Sequence, residues 1–199
     1  MNWIKDFIPN IKKNISQTFG SEKDSKVPEG LWQSCDNCGS ILYIPELKKN
    51  SFVCSKCSYH LKINTQQRIE ITFDKDSYQS LNEEEKFRDF LNFRDTKKYK
   101  DRFQEASKKS NCDEALSIGI GEIKGIQVTT AIFEFDFLGG SMGAVVGKRF
   151  ADIVDLSLKK KIPLVCFSTS GGARMQESMI SLFQMGKTSA AVKRLKNSK

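Results

Sequence analysis

Apolar positions recur at helical spacing at the start of the chain, where Ile4, Phe7, Ile8, Ile11 and Ile15 share one face and Lys5, Lys12 and Lys13 lie elsewhere. A helix that docks on a partner or a membrane surface has this pattern. Pro9 interrupts it, and a proline inside a helix removes a hydrogen bond, so the segment reads as a short amphipathic arm packing on its own protein. Residues 16–27 are polar and mixed in charge and read as a linker. Ile69 and Phe73 predict a short helix over residues 65–73. Residues 74–93 show no period, and Asn82-Glu-Glu-Glu85 reads as a solvated face. Over 96–109, Tyr99, Phe103 and Ala106 repeat at i, i+4, i+7, which predicts a helix. From Ala115 the period changes to two. Leu116 to Ile123 and Gln127 to Phe135 alternate about Lys124-Gly125, a hairpin signal. A helix from Ser141 to about Lys160 would bury Val146, Phe150, Ile153, Val154 and Leu158, with Lys159-Lys-Lys161 at its C-terminus, where cations are favoured. The apolar run at 163–168 predicts a buried strand. Met175, Met179, Leu182, Phe183 and Gly186 then return to helical spacing. The predicted order from Ala115 is β-β-α-β-α.

Two glycine-rich turns fall between these elements: Gly139-Gly140-Ser141-Met142-Gly143 and Ser168-Thr-Ser-Gly171-Gly172-Ala-Arg174. Each lies between a strand and a helix. Glycine there permits a tight turn and close approach of a ligand to the main chain. The first N–H groups of a helix lack internal partners, so such turns suit a phosphate, a carboxylate or a developing oxyanion. Two of them on one sheet predict a single site built from backbone donors, with the N–H groups of Gly171 and Gly172 as its candidate catalytic donors.

Four cysteines add a second kind of chemistry. Cys35 and Cys38, then Cys54 and Cys57, form two C-x2-C pairs separated by fifteen residues. Each pair brings two thiolates to one ion, and the intervening residues suffice for a hairpin that carries the second pair back. Four thiolates close a tetrahedral zinc shell and leave no open position, so the predicted Zn2+ is structural. Gly39 suits the tight turn of such a knuckle. His60, the single histidine, is read as a polar residue beside this ribbon, and Cys112 and Cys166 as plain buried thiols. Cysteine pairs without a secretion-type leader fit a reducing, cytoplasmic compartment. The apolar runs are too short to cross a bilayer. The net charge of +8 favours an anionic partner. The basic residues are 25 Lys against 7 Arg, which suits a solvated surface at least as well as sequence-specific DNA reading.

Two motif matches fail on chemistry. Gly139-Gly-Ser141-Met-Gly143 fits the nucleophile elbow G-x-S-x-G, but a serine hydrolase needs a histidine after the serine, and residues 142–199 contain none. Gly186-Lys187-Thr188 resembles the end of a P-loop, but Ser181 stands where the first glycine is required.

The array Cys35-x2-Cys38-x15-Cys54-x2-Cys57, then Phe93-Arg-Asp-Thr-Lys-Lys-Tyr-Lys100, then Phe133-Glu-Phe-Asp-Phe-Leu-Gly-Gly-Ser-Met-Gly143, then Cys166-Phe-Ser-Thr-Ser-Gly-Gly-Ala-Arg-Met-Gln-Glu177 closely resembles the carboxyltransferase beta subunits of bacterial and plastid acetyl-coenzyme A carboxylase. The resemblance implies an α/β chain: an N-terminal four-cysteine zinc ribbon followed by a crotonase-like (ClpP/crotonase) spiral of β-β-α units, incomplete here at the C-terminus. It suggests an arm and linker over 1–27, the ribbon over 28–64, a helical connection over 65–112 and the first part of the carboxyltransferase domain over 113–199. The activity implied is transfer of a carboxyl group from carboxybiotin on a carrier protein to acetyl-CoA, giving malonyl-CoA for fatty-acid synthesis, with ATP used elsewhere in the holoenzyme. The implied partners are an alpha subunit in an alpha2beta2 heterotetramer, the biotin carboxyl carrier protein and biotin carboxylase, in cytoplasm or plastid stroma. By position, the turn at Gly171 and Gly172 belongs to the substrate site, with Gly140 and Ser141 beside it. Arg174 either pairs with a coenzyme A phosphate or carboxylate, or stands at a helix start in a subunit contact. Family members continue through a further glycine turn, so the chain reads as an N-terminal fragment, expected to be inactive alone and marginally stable. The competing readings are a zinc-ribbon nucleic-acid-binding protein, whose binding would collapse as salt rises, and another crotonase-type acyl-CoA enzyme.

Overall fold

The structure, a computed structural model, describes residues 30–83 and 89–198. The predicted arm and linker lie outside the described residues, as do the last two residues of the acidic run ending at Glu85.

The ribbon begins with β1 (Trp32–Ser34) paired antiparallel to β2 (Ile41–Tyr43). The expected hairpin between the cysteine pairs is replaced in part by a short helix, α1 (Ile44–Lys49). Pro45 stands in its first turn, where a missing N–H costs nothing. Two knuckles of matching form hold the cysteines. The Gly39 N–H bonds to the Cys35 carbonyl at 2.9 Å, and the Ser58 N–H bonds to the Cys54 carbonyl at 2.9 Å. The small core beneath them consists of Cys35, Leu42, Leu47, Phe52, Cys54 and Leu61.

Beyond the ribbon lie α2 (Thr65–Thr72), β3 (Gln79–Ser80), α3 (Tyr99–Ser110), β4 (Leu116–Ile123), β5 (Ile126–Phe133), α4 (Ala144–Lys160), β6 (Leu164–Phe167) and α5 (Met179–Asn197). The four-stranded sheet has the order β3-β4-β5-β6. β4 and β5 form the predicted antiparallel hairpin, in register from Leu116 opposite Phe133 to Ile123 opposite Ile126. Its turn places Lys124 and Gly125 both at positive φ, the geometry a two-residue hairpin loop requires. β5 and β6 are parallel, so the chain needs a crossover, which α4 supplies. β3, too short to show a period, pairs with β4 inside the stretch read as irregular. Asn82, read as part of a solvated run, joins the sheet edge: the Ile118 N–H donates to its Oδ1 at 2.8 Å.

Both faces of the sheet are covered. Leu116, Ile118 and Ala131 pack against Val146 and Ile153 of α4. Val128 and Ile132 face the other way, onto Phe73, with Ile69 and Tyr78 beside it. Burial of one such aliphatic side chain contributes about 1.5–3 kcal/mol. The predicted face of α4 is therefore the observed one, although Phe150 and Leu158 are only partly covered. α5 differs. A one-turn 3-10 helix (Met175–Glu177) and a break at Ser178 precede it, and Met175, Met179, Leu182 and Phe183 are exposed. The buried residues of α5 are Ser181 and Ala191.

A buried carboxylate joins the ribbon side to the sheet. Glu134, just after β5, accepts the Thr65 N–H at 2.9 Å and the Thr65 hydroxyl at 3.1 Å with one oxygen. Its other oxygen accepts the Asp136 N–H at 3.1 Å. It thus stands at the N-terminus of α2, where negative charge is favoured. Nearby, Lys62 donates to Asp136 at 2.7 Å, and this hydrogen bond holds the Asp136 carboxyl below its usual range. Glu134→Ala would strand the Thr65 and Asp136 amides, and a loss of about 1–3 kcal/mol is expected in urea unfolding, with faster hydrogen exchange confined to α2 and the 134–136 segment. An unchanged midpoint would show that Glu134 does not anchor α2.

Candidate functional site

The Sγ atoms of Cys35, Cys38, Cys54 and Cys57 all lie within 4.8 Å of one another. Cys35 and Cys57 are 3.7 Å apart, and Cys38 and Cys54 are 3.8 Å apart. A tetrahedron with zinc–sulfur bonds of about 2.3 Å has sulfur–sulfur edges of about 3.8 Å, so the four residues fit one zinc ion. With all four positions taken by sulfur, such an ion has a structural role.

The two glycine turns meet at the ends of the parallel strands. The chain leaves β5, runs through a 3-10 turn at Leu138–Gly140 and enters α4. It leaves β6 through Ser168–Ala173, and the second turn crosses the first. The Gly171 N–H donates to the Gly139 carbonyl at 2.7 Å, the Met142 N–H to the Gly172 carbonyl at 2.8 Å, and the Arg174 N–H to the Met142 carbonyl at 2.9 Å. Gly140 has φ +67°, and a Cβ there would stand 2.6 Å from the Thr169 carbonyl oxygen. Residues 168–171 are exposed. In open α/β sheets ligands bind at the carboxyl ends of parallel strands, and this crossing occupies that end of β5 and β6.

The expected donors have internal partners. The Gly171 N–H is spent on Gly139, and the Gly172 N–H donates to the Ser170 hydroxyl at 3.0 Å. In this arrangement neither is open to a ligand. No hydrogen bond among the described residues uses the N–H of Thr169, Ser170 or Ala173. The first amide of α4 also has an internal partner: Ala144 donates to the Glu177 carboxylate at 2.7 Å. The helix N-terminus that could hold an external anion holds an internal one.

Ser141 and Arg174 also turn inward. Arg174 is 1% exposed, Glu114 1%, Tyr99 1% and Glu177 5%. The guanidinium donates from Nε to the Ser141 hydroxyl at 3.2 Å and from Nη2 to the Ser141 carbonyl at 2.9 Å. Both Nη atoms reach the two Glu114 oxygens, and Nη1 also lies 3.1 Å from the Tyr99 hydroxyl and 3.3 Å from Glu177. Arginine has five N–H donors, and these partners use all of them. A guanidinium so engaged has none left for a coenzyme A phosphate, and its burial within one chain removes it from a subunit contact. Ser141, 9% exposed and bonded to Arg174, is not placed to touch substrate or to act as a nucleophile. Burial pushes the Tyr99 phenol well above its usual value. It therefore stays protonated and donates to Glu177 at 2.7 Å. Nothing in the sequence marks Glu114, Tyr99 or Glu177 as members of this cluster. The one available signal is that a buried arginine demands carboxylate partners, and it needs the burial to be known first.

Gly143 has its place in this cluster. A Cβ there would lie 2.5 Å from a Glu177 oxygen and 2.8 Å from Nη1 of Arg174. The last glycine of the elbow-like motif thus makes room for an ion pair.

The geometry has parallels among known proteins. A transcarboxylase 12S structure with methylmalonyl-coenzyme A and methylmalonic acid bound is 26% identical, with TM-score 0.52, over 67% of this chain and 24% of that chain. A Pseudomonas malonate decarboxylase hetero-dimer is 20% identical, with TM-score 0.49, over 69% and 49%. The beta subunit of P. aeruginosa geranyl-CoA carboxylase is 16% identical, with TM-score 0.49, over 76% and 24%. The chain thus spans about a quarter of the length of the transcarboxylase chain it matches. Among the described residues no helix is long and apolar enough to cross a membrane. The fold is mixed α/β and crotonase-like, as expected, with a cysteine cluster compatible with a zinc ribbon ahead of it. Residues 62–198, the whole four-stranded sheet and both glycine turns among them, match the carboxyl transferase domain, and this chain belongs to that family.

Proposed function

We propose that the chain is the beta component of an acetyl-CoA carboxylase carboxyltransferase, moving a carboxyl group from carboxybiotin to acetyl-CoA to give malonyl-CoA. The observation that carries this reading is the crossing of the two glycine turns at the carboxyl ends of β5 and β6, made of backbone and exposed at residues 168–171. Removing a proton from the acetyl methyl group places charge on the thioester oxygen, and fixed N–H groups stabilise it without reorganising. The donors on this chain would come from the amides of Thr169, Ser170 and Ala173 rather than from Gly171 and Gly172. The new carbon–carbon bond forms between that methyl carbon and the carboxyl carbon released from biotin nitrogen, and the biotin nitrogen ends with the proton. No side-chain nucleophile is required, in keeping with the burial of Ser141. The methylmalonyl-coenzyme A of the transcarboxylase structure supports a coenzyme A ester as the acceptor. The zinc ribbon ahead of the domain supports the acetyl-CoA carboxylase assignment, in which an alpha subunit completes the site and the carrier protein delivers biotin.

The test mixes the purified chain with a carboxyltransferase alpha subunit and follows malonyl-CoA-dependent carboxylation of free biotin. Co-elution of the two chains with turnover above either alone supports the reading. A complex that carboxylates biotin from methylmalonyl-CoA and not from malonyl-CoA would overturn the acetyl-CoA assignment. Absence of any complex, with salt-sensitive binding to single-stranded RNA, would favour the ribbon as a nucleic-acid module.

A further inference from the structure

The cluster around Arg174 joins four segments distant in sequence. Tyr99 is the first residue of α3, and Glu114 precedes β4. Ser141 and Ala144 belong to the first glycine turn and the start of α4. Arg174 and Glu177 follow the second turn. The guanidinium grips the first turn by two Ser141 atoms, while its own backbone N–H binds Met142 of that same turn. Glu177 grips α4 through the Ala144 amide and is itself held by Tyr99 and Arg174. Phe137, fully buried, lies under the guanidinium at 5.7 Å from ring centroid to Cζ. Among the described residues, the polar side-chain contacts between the two turns pass through Arg174 and Glu177.

We infer that Arg174, with Glu114, Glu177 and Tyr99, is a positioning device that sets the second glycine turn against the first, and so places the backbone amides of Thr169, Ser170 and Ala173. The inference rests on the carboxyl-transfer reading for its kinetic consequence but not for its structural one. Arg174 touches no reacting atom. It acts through the turns, and a displacement of about 1 Å at such donors is enough to slow a reaction on the order of 100-fold. A planar fork suits the task. Two Glu114 oxygens and the Ser141 carbonyl lie around one guanidinium, and an ammonium in its place offers three donors from a single point.

The test uses the complex of this chain with a carboxyltransferase alpha subunit and compares wild type, Arg174→Lys, Arg174→Ala and the milder Tyr99→Phe. The expected result for Arg174→Lys is a fall in kcat on the order of 100-fold with KM for malonyl-CoA within about threefold. Tyr99→Phe, which keeps the ring and removes one buried hydroxyl, should lose roughly tenfold in kcat. Methylguanidinium should restore part of the rate of Arg174→Ala and leave wild type unaffected, a response that a general loss of stability does not give. A rise in KM at constant kcat would overturn the inference, because it would mean that the guanidinium binds substrate. The second readout is independent of turnover. In the chain itself, Arg174→Lys and Tyr99→Phe should raise hydrogen exchange at the amides of Met142, Ala144 and Gly171 by roughly tenfold or more, with the ribbon amides unchanged. If wild type shows no carboxyl transfer, the functional reading falls and the exchange decides the positioning claim. Unchanged exchange at those three amides overturns it.

Discussion

Cys54→Ser should remove the metal from the chain and melt the ribbon, the largest effect expected of any single substitution here. The ribbon core has six buried members, and two of them, Cys35 and Cys54, belong to the four-cysteine cluster that fits zinc. Its strands are three residues long and its helix six. Isolated pieces of that size are not stable in water. The binding free energy of a structural zinc, about 10–16 kcal/mol in small zinc-binding peptides, would therefore be the main term holding the two knuckles together. Serine offers a hydroxyl that does not ionise near neutral pH, and three thiolates leave the shell open. The expected outcome is loss of stoichiometric zinc by elemental analysis and collapse of amide protection across residues 35–61. Cys166→Ser is the control: Cys166 lies on β6, exposed and apart from the cluster, and zinc should be retained. Retention of tightly bound zinc by Cys54→Ser would show that these four sulfurs are not the site.

The effect should spread beyond the ribbon, in one direction. Lys62 and Thr65 follow the last knuckle and reach Asp136 and Glu134, the residues just before the first glycine turn. The sheet does not depend on the ribbon in the same way. Its core of Leu116, Ile118, Ala131, Val146 and Ile153 contains no ribbon residue.

Why some of this architecture can be read from the sequence and some cannot follows from where each residue finds its partners. The cysteine spacing reports a local fact, two knuckles, and the structure brings their four sulfurs together. Lys124-Gly125 between alternating runs is likewise local, and the hairpin register follows from that turn. The face of α4 is legible because its apolar side chains meet one continuous sheet. Arg174 is the opposite case. Its carboxylate partner Glu114 lies 60 positions away and Tyr99 lies 75 positions away. Arginine is almost never fully buried unless paired, so sequence alone favours a ligand or a subunit contact for it. Which amides of the Gly171-Gly172 turn stay open is hidden from the sequence for a related reason. Glycines mark a turn, but which amides stay open depends on what crosses it, and the first turn takes the Gly171 N–H. On α5 the apolar spacing is real, but period alone does not set its direction. Met179, Leu182 and Phe183 lie outward, while small Ser181 and Ala191 face the protein.

Gly140→Ala is expected to separate the two turns and so to cost both stability and turnover. Two effects act at that position and neither can relax cheaply. The residue has φ +67°, where an L side chain costs about 1–2 kcal/mol. The added Cβ would lie 2.6 Å from the Thr169 carbonyl oxygen and 3.4 Å from the Ser170 Cα, both backbone atoms of the opposing turn. A flexible side chain could swing away, but the opposing turn can only move as a body. That movement strains the Gly171–Gly139 hydrogen bond of 2.7 Å and the Met142–Gly172 bond of 2.8 Å, which hold the crossing. Overpacking of this kind adds about 1–3 kcal/mol. The sum predicts a destabilisation of roughly 2–5 kcal/mol in urea unfolding and, in the complex with an alpha subunit, a loss of kcat on the order of 100-fold or more. Gly186→Ala is the matched control. Gly186 lies in α5 with open space around its Cβ direction, and alanine is the better helix former. It should be neutral or slightly stabilising. Equal behaviour of the two variants would mean that the contact between the turns is not what fixes the site, and the crossing would lose its place as the centre of the functional reading.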